Sequence, residues 1–253
     1  MDLLRTIPRL AAIAVISLLA CAHGPSAKDR RTAEIHHDLG VEALRAGRFP
    51  DALRELDAAL ATDDDMAEAH RGRGIVLDFG YGKLDDAEKS YRRAIAIRPS
   101  YSEAHNDLGQ LLARTGRYDE AVHEFDLALE NMLYKEPFVA RCNKGLAIWR
   151  SGRKDEGLSL MRACVAQAPA YCRGRRDLGR VLLDEKRTKE AVEELSAYAR
   201  YCEKIPDAHL QLGLARMKAG DVAGARDEFV RCRELGDGTP DGEECRKSLA
   251  LLE

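Results

Sequence analysis

The chain has 253 residues, with 40 Lys+Arg against 43 Asp+Glu and a formal net charge of −3. So even a balance gives no electrostatic drive toward nucleic acid or an anionic lipid sheet. Ala, Leu, Arg and Glu recur throughout while β-branched runs and alternating patterns are scarce, which excludes a sheet-built fold and predicts an all-α chain.

The first twenty residues read as an export signal. Arg5 and Arg9 precede an apolar run, Leu10–Ala20, that is shorter than the ~20 residues of a spanning helix. Leu18-Leu19-Ala20-Cys21 then resembles a bacterial lipobox, which implies cleavage before Cys21 and lipidation of that cysteine. Two other fates are open. Ala20-Cys21-Ala22 also fits ordinary signal cleavage with release of a soluble protein, and an uncut segment would stay a short anchor. Seven cysteines leave an even six once Cys21 is lipidated, which favours the lipobox. By the same resemblance, Ala22 in place of an Asp retention signal directs the protein to the outer membrane. The charged run through Thr32, with Gly24 and Pro25, is expected to be a flexible tether over 21–32.

From Ala33 the chain repeats itself. The clearest copy is Ser102–Lys135, where Leu108-Gly109, Leu112, Gly116, Tyr118, Ala121, Phe125 and Ala128 stand at the spacing of the ~34-residue tetratricopeptide pattern. Small residues at Gly109, Ala121 and Ala128 let two antiparallel helices approach, and Leu108, Leu112 and Phe125 fill the remaining space. Repeat one carries Leu39-Gly40, Gly47, Ala52, Leu56 and Ala59. Repeat two has Gly74, Ala87, Tyr91 and Ala94, with one extra residue in its Gly80-Tyr81-Gly82 turn. Glu136-Pro137 is an insertion that divides repeats one to three (33–135) from repeats four to six (138–239). Repeat four has Gly157 and Cys164 where Ala is usual, and in repeat five Lys186 replaces the turn glycine and Tyr198 a small residue. Repeat six restores the pattern with Leu212-Gly213, Gly220, Ala225 and Phe229, and 240–253 is predicted to be a capping helix.

Other motifs carry no chemistry. Asp63-Asp64-Asp65 lacks the alternation and distal Glu of a calcium loop. His36, His70, His105 and His209 all fall at the fourth position of their repeats, in different hairpins, where a large packing residue is expected rather than a metal ligand. No triad order, zinc-protease motif or phosphate loop accompanies them. The expectation is a non-enzyme with no cofactor, no metal and no small-molecule substrate.

The remaining cysteines, Cys142, Cys164, Cys172, Cys202, Cys232 and Cys245, lie in the second half. An exported chain sits where disulfides persist, and no CxxC zinc motif is present. Facing positions of an antiparallel hairpin keep a constant sum, which pairs Cys142 with Cys164 and Cys172 with Cys202. Cys232 then pairs with Cys245. Cys142 stands at a position that normally looks into the groove, so an exchange with Cys172 is the rival.

By resemblance to tetratricopeptide domains, the fold is an all-α, right-handed superhelical solenoid whose first helices line a concave groove. The inward positions are Val41, Leu44, Ile75, Phe79, Gln110 and Arg114, then Leu146, Trp149, Arg176, Arg180, Leu183, Leu210, Leu214 and Met217. Some of these side chains could instead pack against neighbouring helices. Trp149, the only tryptophan, is a natural anchor.

A lipobox, a short tether and six such repeats resemble the type IV pilus pilotins, the Tgl/PilF/PilW lipoproteins. That resemblance implies a lipid-anchored outer-membrane protein that binds secretin protomers and promotes their insertion and multimerisation. An adaptor lipoprotein in β-barrel assembly or on a peptidoglycan-hydrolase scaffold is the alternative. The tether favours Val41, Leu44, Ile75 and Phe79 as the first contacts.

Overall fold

A computed structural model describes residues 24–252. Among the described residues it contains thirteen α-helices and no strand. They fall into two compact units that divide at Ile97/Arg98, after the second repeat rather than at the Glu136-Pro137 insertion.

The first unit holds α1 (Ala27–Arg45), α2 (Phe49–Thr62), α3 (Ala67–Ile75) and α4 (Leu84–Ile97). The second holds α5 (Ser102–Arg114), α6 (Tyr118–Glu130), α7 (Pro137–Arg150), α8 (Lys154–Gln167), α9 (Cys172–Asp184), α10 (Thr188–Tyr201), α11 (Pro206–Lys218), α12 (Val222–Leu235) and α13 (Pro240–Ala250). Within each unit every hairpin packs on the next, and in the second unit the first helices α5, α7, α9 and α11 also touch in sequence. Those four helices form the row on which the candidate site is built.

One element starts earlier than expected. The anticipated tether is helical from Ala27, because Ser26 and Asp29 form a reciprocal capping box: the Ser26 hydroxyl accepts from the Asp29 amide at 3.2 Å, and the Ser26 amide donates to the Asp29 carboxylate at 3.1 Å. The charged run looked like a linker by composition, but its Ser-x-x-Asp spacing is a helix start. The signal segment and Cys21 lie outside the described residues.

The same joint closes all six hairpins. A Cβ added to Gly40, Gly74, Gly109, Gly145, Gly179 or Gly213 would come within 3 Å of Leu56, Tyr91, Phe125, Met161, Leu195 or Phe229 respectively. Each glycine therefore receives the large side chain of its own second helix, and all six of those side chains are fully buried. Gly157 is tighter still, since its Cβ would strike the Trp149 and Gly145 backbone. The turns agree as well. Gly47, Gly116, Gly152 and Gly220 have φ between 70° and 99°, and Lys186, at the equivalent place in repeat five, adopts φ 58°. In most hairpins the amide after this residue closes back on the first helix, as Arg117 does on Leu112 at 2.9 Å and Arg187 on Leu182 at 2.8 Å.

The extra residue of repeat two is absorbed as a single π-helical turn, Val76–Gly80, at the end of α3. The closing bond there, Lys83 amide to Leu77 carbonyl at 2.8 Å, spans one residue more than its counterparts, so the register of the second helix is preserved.

The fourth-position residues pack, as expected, and they also clip. His105 uses Nδ1 on Glu124 at 2.7 Å and Nε2 on the Pro99 carbonyl at 2.9 Å. His209 does the same with Glu228 at 2.7 Å and the Glu203 carbonyl at 3.0 Å. Arg175 repeats the arrangement in the fifth hairpin, with Glu194 at 2.8 Å and the Pro169 carbonyl. Each side chain thus ties the loop before its hairpin to the hairpin's second helix. His36 and His70 make one half each, to Glu55 and to the Asp64 carbonyl, both at 2.8 Å. Asp64 and Asp65 meet Arg93 at 3.0 and 3.2 Å, so the Asp triplet is a joint between hairpins.

The cysteines pair as the hairpin register predicts. Cys142–Cys164 joins α7 to α8, Cys172–Cys202 joins the start of α9 to the end of α10, and Cys232–Cys245 fastens α13 to α12, with Cα separations of 5.4, 6.0 and 6.1 Å. Cys142 is buried rather than turned into the groove. This is possible because Gly174 of α9 leaves room for its sulfur: a Cβ there would lie 2.7 Å from Cys142 Sγ.

Candidate protein-binding site

The row of first helices in the second unit frames a hollow of about 430 Å³, lined by Arg180, Leu183 and Asp184 of α9 and by Gln211, Leu214, Met217 and Lys218 of α11. Leu183 rests on the core cluster around Leu195 and Leu212, and Leu214 and Met217 rest on the cluster around Phe229 and Cys232. All three remain partly exposed toward the hollow. On the other side of α9 a smaller hollow of about 100 Å³ is lined by Leu146, Trp149, Arg150, Asp177, Arg180, Val181 and Asp184. Arg180 and Asp184 therefore stand on the ridge between the two.

Charge is distributed unevenly over this face. Arg176 pairs with Asp177 at 3.1 Å, and Arg173 donates to Gln110 at 2.9 Å. Arg150, Arg180 and Lys218 are exposed and make no ion pair among the described residues. Arg150 and Lys218 end their helices, where a cation is favoured by the helix dipole. Arg180 sits within α9 and has no such reason.

Trp149 is built into the wall rather than standing free. Its indole donates to Glu185 at 3.1 Å, Lys154 donates to the same carboxylate at 2.6 Å, and the Lys154 ammonium lies 5.3 Å from the ring centroid. The hydrogen bond from Lys154 holds the Glu185 carboxyl below the usual carboxylate range. This network links the end of α7 to the turn after α9 and fixes the indole's orientation.

The residues anticipated from sequence divide four ways. Leu146, Trp149, Arg180, Leu183, Leu214 and Met217 come together at the two hollows. Gln110 and Arg114 line a narrow crevice with Arg173 that shares Leu146 and Arg150 with the smaller hollow. Leu210 was expected to face inward and does not: it is 6 % exposed and packs with Phe229, Cys232 and Leu249, because the capping helix covers it. In the first unit Leu44 packs against the core around Ala43, Leu56 and Val76, Val41 and Ile75 are half-buried, and only Phe79 stands out, at 60 % exposed. Sequence reasoning missed Asp184, Gln211 and Lys218 in the larger hollow and Arg150, Asp177 and Val181 in the smaller. Gln211 and Lys218 fall one helical turn either side of Leu214 on α11, so the spacing that found Leu214 could have found them.

Stacked two-helix repeats with a partly apolar inner row define a class of protein whose surfaces receive other polypeptides. The sequence profile of the tetratricopeptide repeat family matches residues 37–78, 79–131, 142–208 and 176–232, and the chain belongs to that family. Among solved structures it is similar to PilW, described as a widely conserved type IV pilus biogenesis factor, with 21 % identity over 84 % of this chain and 97 % of that one and a TM-score of 0.72. It is also similar to PilF of Pseudomonas aeruginosa, with 19 % identity, 87 % and 99 % coverage and a TM-score of 0.68. A tetratricopeptide repeat protein from Parabacteroides merdae matches with 17 % identity, 87 % and 84 % coverage and a TM-score of 0.69. The fold is of the PilF/PilW type.

Proposed function

We propose that this protein is a lipid-anchored outer-membrane pilotin that holds secretin protomers for type IV pilus biogenesis and releases them as their ring closes. The observation that carries the reading is that the repeats match PilW, a type IV pilus biogenesis factor, and PilF over nearly the whole of both, behind a segment, Leu18–Cys21, that resembles a lipobox. The work needs no chemistry. A secretin protomer carries apolar surface that its neighbours later bury, and a partly apolar inner face covers that surface in the interim. Lipidation of Cys21 keeps the holder at the bilayer, since each buried acyl CH₂ contributes ~0.8 kcal/mol and several chains make attachment lasting. The tether places the first unit nearest the bilayer, but the second unit offers the more apolar lining for the grip: partly exposed Leu183, Leu214 and Met217 beside Arg180 and Lys218.

Deleting the gene and following detergent-resistant secretin multimers on gels tests the reading. Multimers should fall to a small fraction of wild type and return with the wild-type gene, but return poorly with Cys21→Ala or Leu214→Asp. Multimers at wild-type levels in the deletion strain would refute a pilotin role and leave an adaptor of another envelope machine.

A further inference from the structure

The two hollows and the ridge between them specify a partner more closely than a generic apolar groove does. We propose that the face built by α7, α9 and α11 receives an amphipathic helix of the client, with one bulky apolar side chain in each hollow and a carboxylate between them on Arg180. This deepens the pilotin reading and rests on it for the client's identity alone.

Spacing carries the first half of the argument. The hollows lie on opposite sides of α9, one between α7 and α9 and the other between α9 and α11. Clefts flanking a single helix are about one interhelix distance apart, roughly 8–10 Å. An extended strand places same-face side chains about 6.6 or 13 Å apart, neither of which fits. A helix places residues i and i+7 on one face about 10.5 Å apart, which is the nearest to that separation. Charge carries the second half. Arg180 lines both hollows, is exposed and lacks any ion pair among the described residues. Arg150 and Lys218 flank it, against Asp184 as the one unpaired carboxylate of the two linings. A carboxylate at i+3 or i+4 of the client helix faces the ridge where that cation stands.

The test uses the full-length chain in detergent and three fluorescein-labelled helical peptides, read by anisotropy. The parent has leucines at i and i+7 with glutamate at i+4, a second carries lysine for the glutamate, and a third moves one leucine by a single residue. The parent should bind saturably, and the other two about tenfold more weakly or worse. Arg180→Glu, checked for native helicity, should reverse the preference between glutamate and lysine peptides. Equal binding of the three, no saturation of the parent below about 1 mM, or an Arg180→Glu variant that keeps the wild-type ranking would each overturn the proposal. Binding of oleate without binding of the parent would assign the hollows to a lipid and overturn it too. A parallel arm measures secretin capture from solubilised membranes. If wild type captures secretin and Arg180→Glu captures it equally, this proposal fails and the pilotin reading stands. If wild type binds the parent peptide but no secretin, the reading fails and the helix site stands.

Discussion

The first unit and the second use one hairpin design under different constraints. Repeats one and two keep small residues at Ala52, Ala59, Ala87 and Ala94, all with no exposed surface, and hold together with no covalent link among the described residues. Repeats four and five depart from the pattern at Gly157, Cys164, Lys186 and Tyr198, and two of the three bridges are found here. The departure and the bridge are partly the same event, since Cys164 occupies the place of the second small residue in its hairpin and Cys232 does so in repeat six. Tyr198 is the exception. Its ring is 3 % exposed and its hydroxyl, pushed up by burial and by the Asp207 carboxylate, donates to that carboxylate at 3.0 Å, so a side chain too large for its place is tied to the next hairpin. The comparison teaches that the inner row of the second unit is held partly by covalent closure where packing by small residues has been given up.

Reduction is the strongest way to break this contrast. Bridges closing 22, 30 and 13 residues contribute roughly 3 kcal/mol each in the chain-entropy model. Hydrogen exchange in the presence of a reductant should therefore speed up across α7–α13 and stay unchanged across α1–α4. Equal loss of protection in both units would contradict the division. Second in size is Gly157→Ala. The new methyl meets backbone atoms that cannot rotate away, so overpacking of about 1–3 kcal/mol outweighs the gain of ~1 kcal/mol in helix propensity. Denaturant midpoints should fall, whereas a neutral result would mean that α7 and α8 can separate freely.

Much of this fold was legible in the chain because each hairpin joint is a pair of residues at fixed separation. Gly109 with Phe125 and Gly213 with Phe229 announce the approach of two helices before any coordinate is known. Two of the disulfides, Cys142–Cys164 and Cys172–Cys202, followed from the same register, and Cys232–Cys245 from the two cysteines left over. What could not be read was surface shape. Leu210 and Leu214 are four residues apart on one helix, yet the first is covered by the capping helix and the second is left open, and only packing decides between them. The start of α1 was misjudged for a different reason: charge density suggested a tether, and a local capping bond overrode it.

The histidine clips sharpen the contrast through pH. Burial alone would push the His105 imidazole down, but the Glu124 carboxylate and the Pro99 carbonyl together outweigh it and hold the group above the usual histidine range. Both ring nitrogens face acceptors, so the protonated form satisfies both. A raised folded-state value means that the clip's contribution is complete below about pH 6.5 and is lost as pH rises through the shifted value. Stability of wild type relative to His105→Arg, which copies the non-titrating Arg175 arrangement, should therefore fall from acid to alkaline pH. A difference independent of pH would remove the charge from the argument. The smallest expected effect is at the fifth turn. Lys186 sits at φ 58°, where the other turns in this place carry glycine. Lys186→Gly should relieve about 1 kcal/mol of backbone strain, partly offset by the freer unfolded chain, and raise the midpoint slightly. A lower midpoint would show that the lysine side chain contributes more than its backbone costs.

The most direct measurement places a photo-crosslinking residue, one position at a time, at Met217 in the larger hollow, at Phe79 in the first unit and at Glu193 on the second helix of the fifth hairpin, in living cells. The account predicts a secretin adduct from position 217, a weaker one or none from 79 and none from 193. Adducts from 193 with none from 217 would contradict it.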